Sequence, residues 1–160
     1  MSNEVELKNI EHKLQQREKI EAFQRSLLAI ADGDLVEGDG KSIVHSDKFP
    51  LKHTFADGIY VREMFMKQDS AVVGAIHKHL HVWFLMSGRL IVAKEDSKKE
   101  YVAPCYVLAE PGSKRLIYAA EDSVFVNVHK NPSNTQDMVE LEKSIVAMNI
   151  EDYDQYIKNK

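Results

Sequence analysis

The sequence predicts a mainly β chain, a sandwich or barrel of short strands, with an α-helix at each end. Three observations carry this. Between about Ser42 and Lys130, runs rich in β-branched and aromatic residues recur at spacings near ten residues, with short turn signals between them. No long helical pattern separates these runs, which argues against a parallel sheet with crossover helices. On either side, apolar residues recur instead at steps of three and four, the period of a helix.

The first helix is expected from Glu4 to Ala31. Leu7, Ile10 and Leu14, then Ile20, Phe23, Leu27 and Ile30, make an apolar stripe, and no Pro or Gly interrupts it. The stripe is expected to pack on its own domain or on a second subunit. Its polar face carries as much Glu as Lys and Arg, which argues against an anionic lipid surface. "DGDLVEGDG" ends the helix as a loop. The expected strands are "GIYVREMFM", "AVVGAIH", "HVWFLMS", "RLIVAKE", "EYVAP", "CYVLAE", "KRLIYAA" and "SVFVNVH". "KQDS", "SGR", "DSKK", "PGS" and "AEDS" supply turns between them. After "NPSNTQD", the residues Met138, Leu141, Ile145 and Met148 mark a second amphipathic helix, with Thr135 or Asn134 as its expected N-cap. "EDYDQYIKNK" reads as a loosely docked tail. The resulting division is 1–41 for helix and loop, 42–131 for the β-barrel, and 132–160 for helix and tail. There are no internal repeats.

With 160 residues and 44% apolar composition, the chain is the size of one domain with one core. Its net charge of −4 lacks the basic excess of a nucleic-acid binder. No apolar run approaches the roughly 18 residues of a membrane span. The start, "MSNEVELKNIEHK", is charged and lacks an apolar signal core, so a cytoplasmic location is expected. One cysteine, Cys105, allows no internal disulfide and reads as a small core residue.

The chemistry concentrates in "GAIHKHLHVWFLMSGRL", where His77, His79 and His81 fall within five residues. On a straight strand all three share a face, but His77 and His81 lie about 13 Å apart, too far for one ion with bonds near 2.1 Å. If the chain turns through "KHL", His77 and His81 face each other and converge. His79 then sits at the turn and is the most dispensable. Imidazoles suit Zn, Fe, Ni, Cu or Mn, so ligand type alone does not choose the metal. The bland alternative is a polar corner of three solvated histidines.

Clustered histidines in a β-rich domain, then "SG" at a hairpin and a later "PG" turn, resemble the cupin superfamily. The resemblance implies a double-stranded β-helix, a jelly-roll barrel, flanked here by N- and C-terminal helices. Against the family's first motif, Gly88 matches the last glycine, His81 stands where the family has Glu, and His77 matches the second histidine. Ala75 falls at the first histidine. Against the second motif, "EPGSKRLIYA" places Arg115 at the histidine and Ala119 at the asparagine. The usual fourth ligand is therefore absent, and His129, ending "SVFVNVH", is the best replacement, its reach depending on strand register. From about His53 to Asn131 the chain resembles more narrowly the small cupin-like proteins of tailed bacteriophages. In that group the positions matching His77, Lys78, His81, Lys114 and Arg115 recur, while the His79 position varies. This implies the cytoplasm of a bacterial or phage-infected cell.

Two further residues are candidates for catalysis. Glu63 shares a strand face with Val61 and Phe65, opposite Arg62 and Met64. Pointing inward it would pair with Arg115 or serve as a carboxylate ligand or general base; pointing outward it is a solvated strand residue. Arg115 suits two-point binding of a carboxylate or phosphate, or is a surface cation. His53 is placed near the barrel mouth, and His12 and His45 are read as solvated. Trp83, Phe84, Tyr101, Tyr106, Tyr118 and Phe125 are read mainly as core. There is no GxSxG, P-loop or GxGxxG motif.

The first functional expectation is a barrel holding a divalent metal (Zn, Fe, Ni or Mn) through His77, His81, His129 and His79, and acting on or binding a small organic acid. Were it an enzyme, it would be a metal-dependent oxygenase, isomerase or lyase. The second is a non-catalytic module binding a small anionic ligand, and the third a structural or assembly protein. A homodimer is expected, because half-open barrels have sheet edges to cover and the N-terminal stripe offers apolar area.

Overall fold

The computed structural model describes residues 2–30 and 49–160; the loop expected after the first helix, and His45, lie outside the described residues. In chain order the elements are α1 (Ser2–Ile30), β1 (Leu51–Ala56), β2 (Ile59–Met66), β3 (Ala71–Val73), β4 (Ile76–His77), β5 (His81–Ser87) and β6 (Arg89–Lys94). They continue with β7 (Ser97–Val102), β8 (Cys105–Ala109), β9 (Leu116–Ala119), β10 (Ser123–Lys130), α2 (Met138–Ile145), β11 (Val146–Ala147) and α3 (Ile150–Lys158).

The pairing is nested. β2 pairs with β10, β3 with β9, β5 with β8 and β6 with β7, all antiparallel. From β2 and β10 inward, with β4 left out, each strand meets its counterpart from the other end of the run; that is the jelly-roll arrangement of two packed sheets. One sheet has the order β1-β2-β10-β5-β8 and the other β3-β9-β6-β7. The core between them contains Met64, Met66, Trp83, Leu85, Leu90 and Phe125, each 5% exposed or less. The mainly β architecture with helices at both ends is the one the sequence predicts.

Several local expectations change. β1 is an additional edge strand. "AVVGAIH" breaks at Gly74 and Ala75 into β3 and β4. Asp137 caps α2, its Oδ1 accepting from the N–H groups of Val139 and Glu140 at 2.9 and 3.0 Å. Thr135 instead donates its hydroxyl to Glu140 at 2.8 Å, and Asn134 accepts from the Gly58 N–H. The supposed tail is the helix α3, capped by Asn149. In α1, Ile20 is buried, but Leu7, Ile10 and Leu14 are about half exposed. Arg17 and Glu95, 3.3 Å apart, tie the helix to the barrel near its middle, beyond which its first half projects. Tyr106 is 72% exposed, so it is no core residue. Cys105 is free and packs against the core edge. Among the described residues, no helix is long and apolar enough to cross a membrane.

The turn from β5 to β6 rests on Gly88, whose φ is +84°. A Cβ there would meet the Asp122 carbonyl oxygen and the Ser123 hydroxyl, with the Ser123 Cα at 2.8 Å. Both the left-handed backbone and the space require glycine. Gly88→Ala is therefore expected to destabilise the fold by about 2 kcal/mol or more, read as a lowered midpoint in denaturant with an unchanged slope.

Candidate metal centre

Alternation builds most of the site. Along β5, His81, Trp83 and Leu85 point into the barrel; along β10, Ser123, Phe125, Asn127 and His129 do. The two strands are neighbours, with Val82 opposite Val128 and Trp83 opposite Asn127, so His81 and His129 meet on the inner face. His77 arrives from β4 after the chain turns through Lys78–Leu80. The ring centroids of His77 and His81 are 4.1 Å apart, those of His81 and His129 4.7 Å, and those of His77 and His129 5.1 Å. One nitrogen from each ring lies within 4.8 Å of the other two. Nitrogens bound to one ion at about 2.1 Å in tetrahedral geometry sit about 3.4 Å apart, so small ring rotations close the set on a metal.

The protonation states suit that use. Burial is the main cause holding His77 well below the usual imidazole range, with His81 and His129 adding to it. Burial brings His81 down to about 4, partly opposed by the His79 carbonyl. Burial, then His81, bring His129 down to about 3. Neutral rings with available lone pairs are what a metal requires. Nδ1 of His81 lies 3.3 Å from the His79 carbonyl oxygen. A donor N–H there leaves Nε2 as the free acceptor. His81 Nε2 and His77 Nδ1 are buried with no hydrogen-bond partner among the described residues. Buried polar nitrogens of this kind call for an explanation, and a ligand site supplies one. These three residues fit a divalent ion.

His77 and His81 also line a cavity of about 470 Å³, mouth included, whose walls include Val72, Val92 and Ile117 and whose polar groups include Arg115 and Asn127. Burial lowers the Arg115 pKa from its ordinary value, with Glu95 partly opposing; a guanidinium stays cationic regardless. Its Nη2 donates to the Glu110 carbonyl at 2.8 Å. On the other side of His77 lies a second recess lined by Arg62, His129 and Glu142.

The remaining candidates stand elsewhere. His79 Nε2 lies 3.0 Å from the Ser144 carbonyl oxygen, and its ring meets Tyr156 edge-on, so it braces the C-terminal helices and is not one of the three clustered rings. Glu63 faces away from the barrel interior: Tyr60, Arg62, Met64 and Met66 are the buried residues of β2. The parity Glu63 needs to point inward belongs to Arg62. Lys78 donates from Nζ to the Lys143 carbonyl at 2.6 Å, and Lys114 is buried beside Glu95, its N–H directed at that carboxylate at 3.4 Å. His53 Nδ1 lies 2.7 Å from the Tyr60 hydroxyl, and the Tyr60 ring stacks on both His53 and His129. His12 is exposed. Tyr60, Arg62, Asn127 and Glu142 stand at the site although the sequence singles out none of them as a candidate. Asn127 was the most accessible of them, two residues before His129 on one strand and so on the same face.

No protein-family model matches the sequence, and neither does any curated protein. Among solved structures the chain is similar to a cupin-2 conserved barrel domain protein from Salinispora arenicola, with TM-score 0.47 and 14% identity over 68% of this chain and 94% of that one. It is also similar to a cupin-2 domain containing protein from Shewanella frigidimarina, with TM-score 0.46 and 12% identity over 62% and 98%. An RmlC-like cupin from the same organism gives 0.46 and 13% over 52% and 76%. At such identities the likeness is one of fold alone.

The depressed histidines set a pH dependence. Unfolded, each imidazole titrates near 6.5; folded, His81 and His129 titrate near 4 and 3. Between those values the unfolded chain binds more protons, so stability falls as pH falls. The melting temperature of metal-free protein is expected to drop from about pH 6.5 towards pH 4. In His129→Asn the drop should be shallower; equal slopes in the two proteins would contradict the assignment.

Proposed function

We propose that the barrel binds one divalent metal ion, of zinc, iron, nickel or manganese, through His77, His81 and His129, and holds a small organic acid in the adjoining cavity. The observation that carries this reading is the cluster of three imidazoles, two buried and that of His77 half-buried, with one nitrogen of each within 4.8 Å of the others and two ring nitrogens without partners among the described residues. Three protein ligands leave open positions at the ion, the mark of a site that also binds something else. A divalent ion so held supplies Lewis-acid polarisation of a ligand oxygen or activation of water.

The chain's own residues favour an anionic ligand with a compact apolar body. Arg115 is fixed through one nitrogen by the Glu110 carbonyl, and its fork has further N–H groups for a carboxylate. The aliphatic walls exclude water from whatever lies between Arg115 and the histidines. Asn127 Oδ1, buried and without a partner among the described residues, offers an acceptor to a ligand hydroxyl. His79 and Glu63 have no part in this reading. A binding module without turnover would use the same cavity and Arg115 while keeping ligand affinity in chelator; loss of affinity with the metal favours the metal-dependent reading.

Elemental analysis of protein purified without a histidine tag tests the metal. We expect about one ion per chain in the wild type and none in His77→Ala/His81→Ala, with both folded by circular dichroism. A wild type that stays metal-free after equilibration with each of the four ions sinks the proposal. For the ligand, Arg115→Met is expected to weaken binding of small carboxylates to the metal-loaded protein by about tenfold or more, measured by calorimetry, with metal content unchanged.

A further inference from the structure

We propose that Glu95 is a positioning residue for Arg115 and that helix α1 controls it. With α1 seated, Arg17 holds the Glu95 carboxylate and leaves the Arg115 guanidinium open to an anion. With Arg17 withdrawn, Glu95 pairs with Arg115 and closes the anion site. This builds on the reading of Arg115 as the anchor of an acid, and it names what regulates that anchor.

The ladder brings the two residues together. On β6 and β9, Val92 is opposite Ile117 and Ala93 opposite Leu116. The next residues of each strand, Lys94 and Glu95 on one side and Lys114 and Arg115 on the other, therefore meet just beyond its end. The Glu95 side chain is only 10% exposed, and a carboxylate so buried needs partners. It has two, and both are long: Arg17 Nε at 3.3 Å and the Lys114 N–H at 3.4 Å. Bonds of that length are weak, so the carboxylate is loosely held.

Two cations next to Glu95 compete for it once Arg17 leaves. Lys114 is buried, which lowers its pKa, but Glu21 of α1 and then Glu151 of α3 oppose that shift more than Glu95 does. Lys114 thus keeps an anion on α3 whatever α1 does. Arg115 is half-buried, and Glu95 is the first group to oppose the effect of its burial. Among the described residues Arg115 pairs with no carboxylate; its Nη2 donates to the Glu110 carbonyl. A guanidinium partly withdrawn from water, with N–H groups still to satisfy, takes a carboxylate from a ligand or from its own chain. Glu95 is the one its own chain offers.

The helix that supplies Arg17 is lightly anchored. Of its described side chains, Ile20 alone is buried. Among the described residues its ion pairs with the barrel are Arg17 with Glu95 and, at 4.0 Å between exposed side chains, Lys13 with Asp96. Both partners lie on the turn that follows β6. One aliphatic side chain and two ion pairs are a small part of what holds the chain together. α1 can shift while the barrel stays folded, and a shift takes Arg17 from Glu95.

The deciding test needs neither metal nor ligand. Urea unfolding of the full chain is measured for Glu95→Gln, Arg115→Met and the two together, once with Arg17 present and once in Arg17→Met. With Arg17 present the two substitutions should add. In Arg17→Met they should be coupled, the pair of Glu95 and Arg115 favouring the folded chain about tenfold. Arg17→Lys, which keeps the charge, should restore additivity. A pair that only supports the fold would be coupled equally in both backgrounds; that result, or additivity in both, overturns the proposal. If Arg115→Met is unfolded by circular dichroism, Arg115→Gln takes its place in the cycle. The second arm is calorimetry on metal-loaded protein with isobutyrate as the probe. Glu95→Gln should tighten binding about fivefold and Arg17→Met weaken it about tenfold, with no effect of Arg17→Met once Glu95→Gln is present. Weakening by both substitutions overturns the proposal. Isobutyrate binding in none of the proteins counts against the acid-binding reading, and the ligand-free cycle still decides the role of Glu95.

Discussion

The site depends first on the register between β5 and β10. With Val82 opposite Val128 and Trp83 opposite Asn127, the inward residues of the two strands are His81 and Trp83 on one side and Asn127 and His129 on the other. A slip of one residue would turn His129 and Asn127 to the outside and bring Val126 and Val128 in. Two things hold the register. Leu85 and Phe125 oppose each other in the core, and β10 is locked on its other side to β2, with Phe125 opposite Met64. The ladder shifts between Val124 and Phe125, so the irregularity falls beyond the site and the alternation is unbroken from Phe125 to His129.

His77 has a different support. It lies outside both large sheets and is held by a two-residue ladder, Val146 opposite His77 and Ala147 opposite Ile76. The Lys78 N–H donates to the Ile145 carbonyl at 2.8 Å, and the Gly112 N–H donates to the His77 carbonyl at 3.0 Å. This explains why α2 is short. Its apolar period continues to Met148, but at Val146 the backbone becomes extended to pair with β4. A helix turn is given up for a strand pair that fixes the histidine, while Leu141 and Ile145 anchor α2 against Tyr60. The C-terminal segment is thus part of the site's framework.

The sequence was informative where the physics is local. Strand positions follow from alternation and turn residues, and the separation of about 13 Å along a straight strand makes a turn through "KHL" the condition for His77 and His81 to converge. It was uninformative where a choice depends on partners distant in the chain. Alternation alone divides β2 into two faces without saying which is inside, and Arg62, not Glu63, took the buried one. A buried arginine is improbable by composition and is tolerated only in a polar setting, which here is the end of the barrel with His129 and Glu142. The sequence points to Thr135 or Asn134 as the cap of α2, but Asp137 suits the role as well, and Thr135 and Asn134 are engaged with Glu140 and Gly58. The sequence reads α3 as a tail because more than half of its nine residues are polar, and the helix buries none of them.

What the barrel accepts at this end is unfavourable by the rules of a core. Three imidazoles are taken from water, two of their nitrogens and one amide oxygen lack partners among the described residues, and Arg62 and Glu142 are buried nearby. A fold selected only for stability would fill the same volume with aliphatic side chains, as it does a few ångströms away with Met64, Leu85 and Leu90. Local violations of packing logic concentrate where structure is shaped for a ligand rather than for itself. The contrast along β10 makes the point within one strand: Phe125 joins the core, and two and four residues later Asn127 and His129 occupy the same face with polar atoms. Sequence alternation alone would permit valine at both. Beside His77 and His81 they complete the polar end of the barrel on which the proposed metal and ligand site rests.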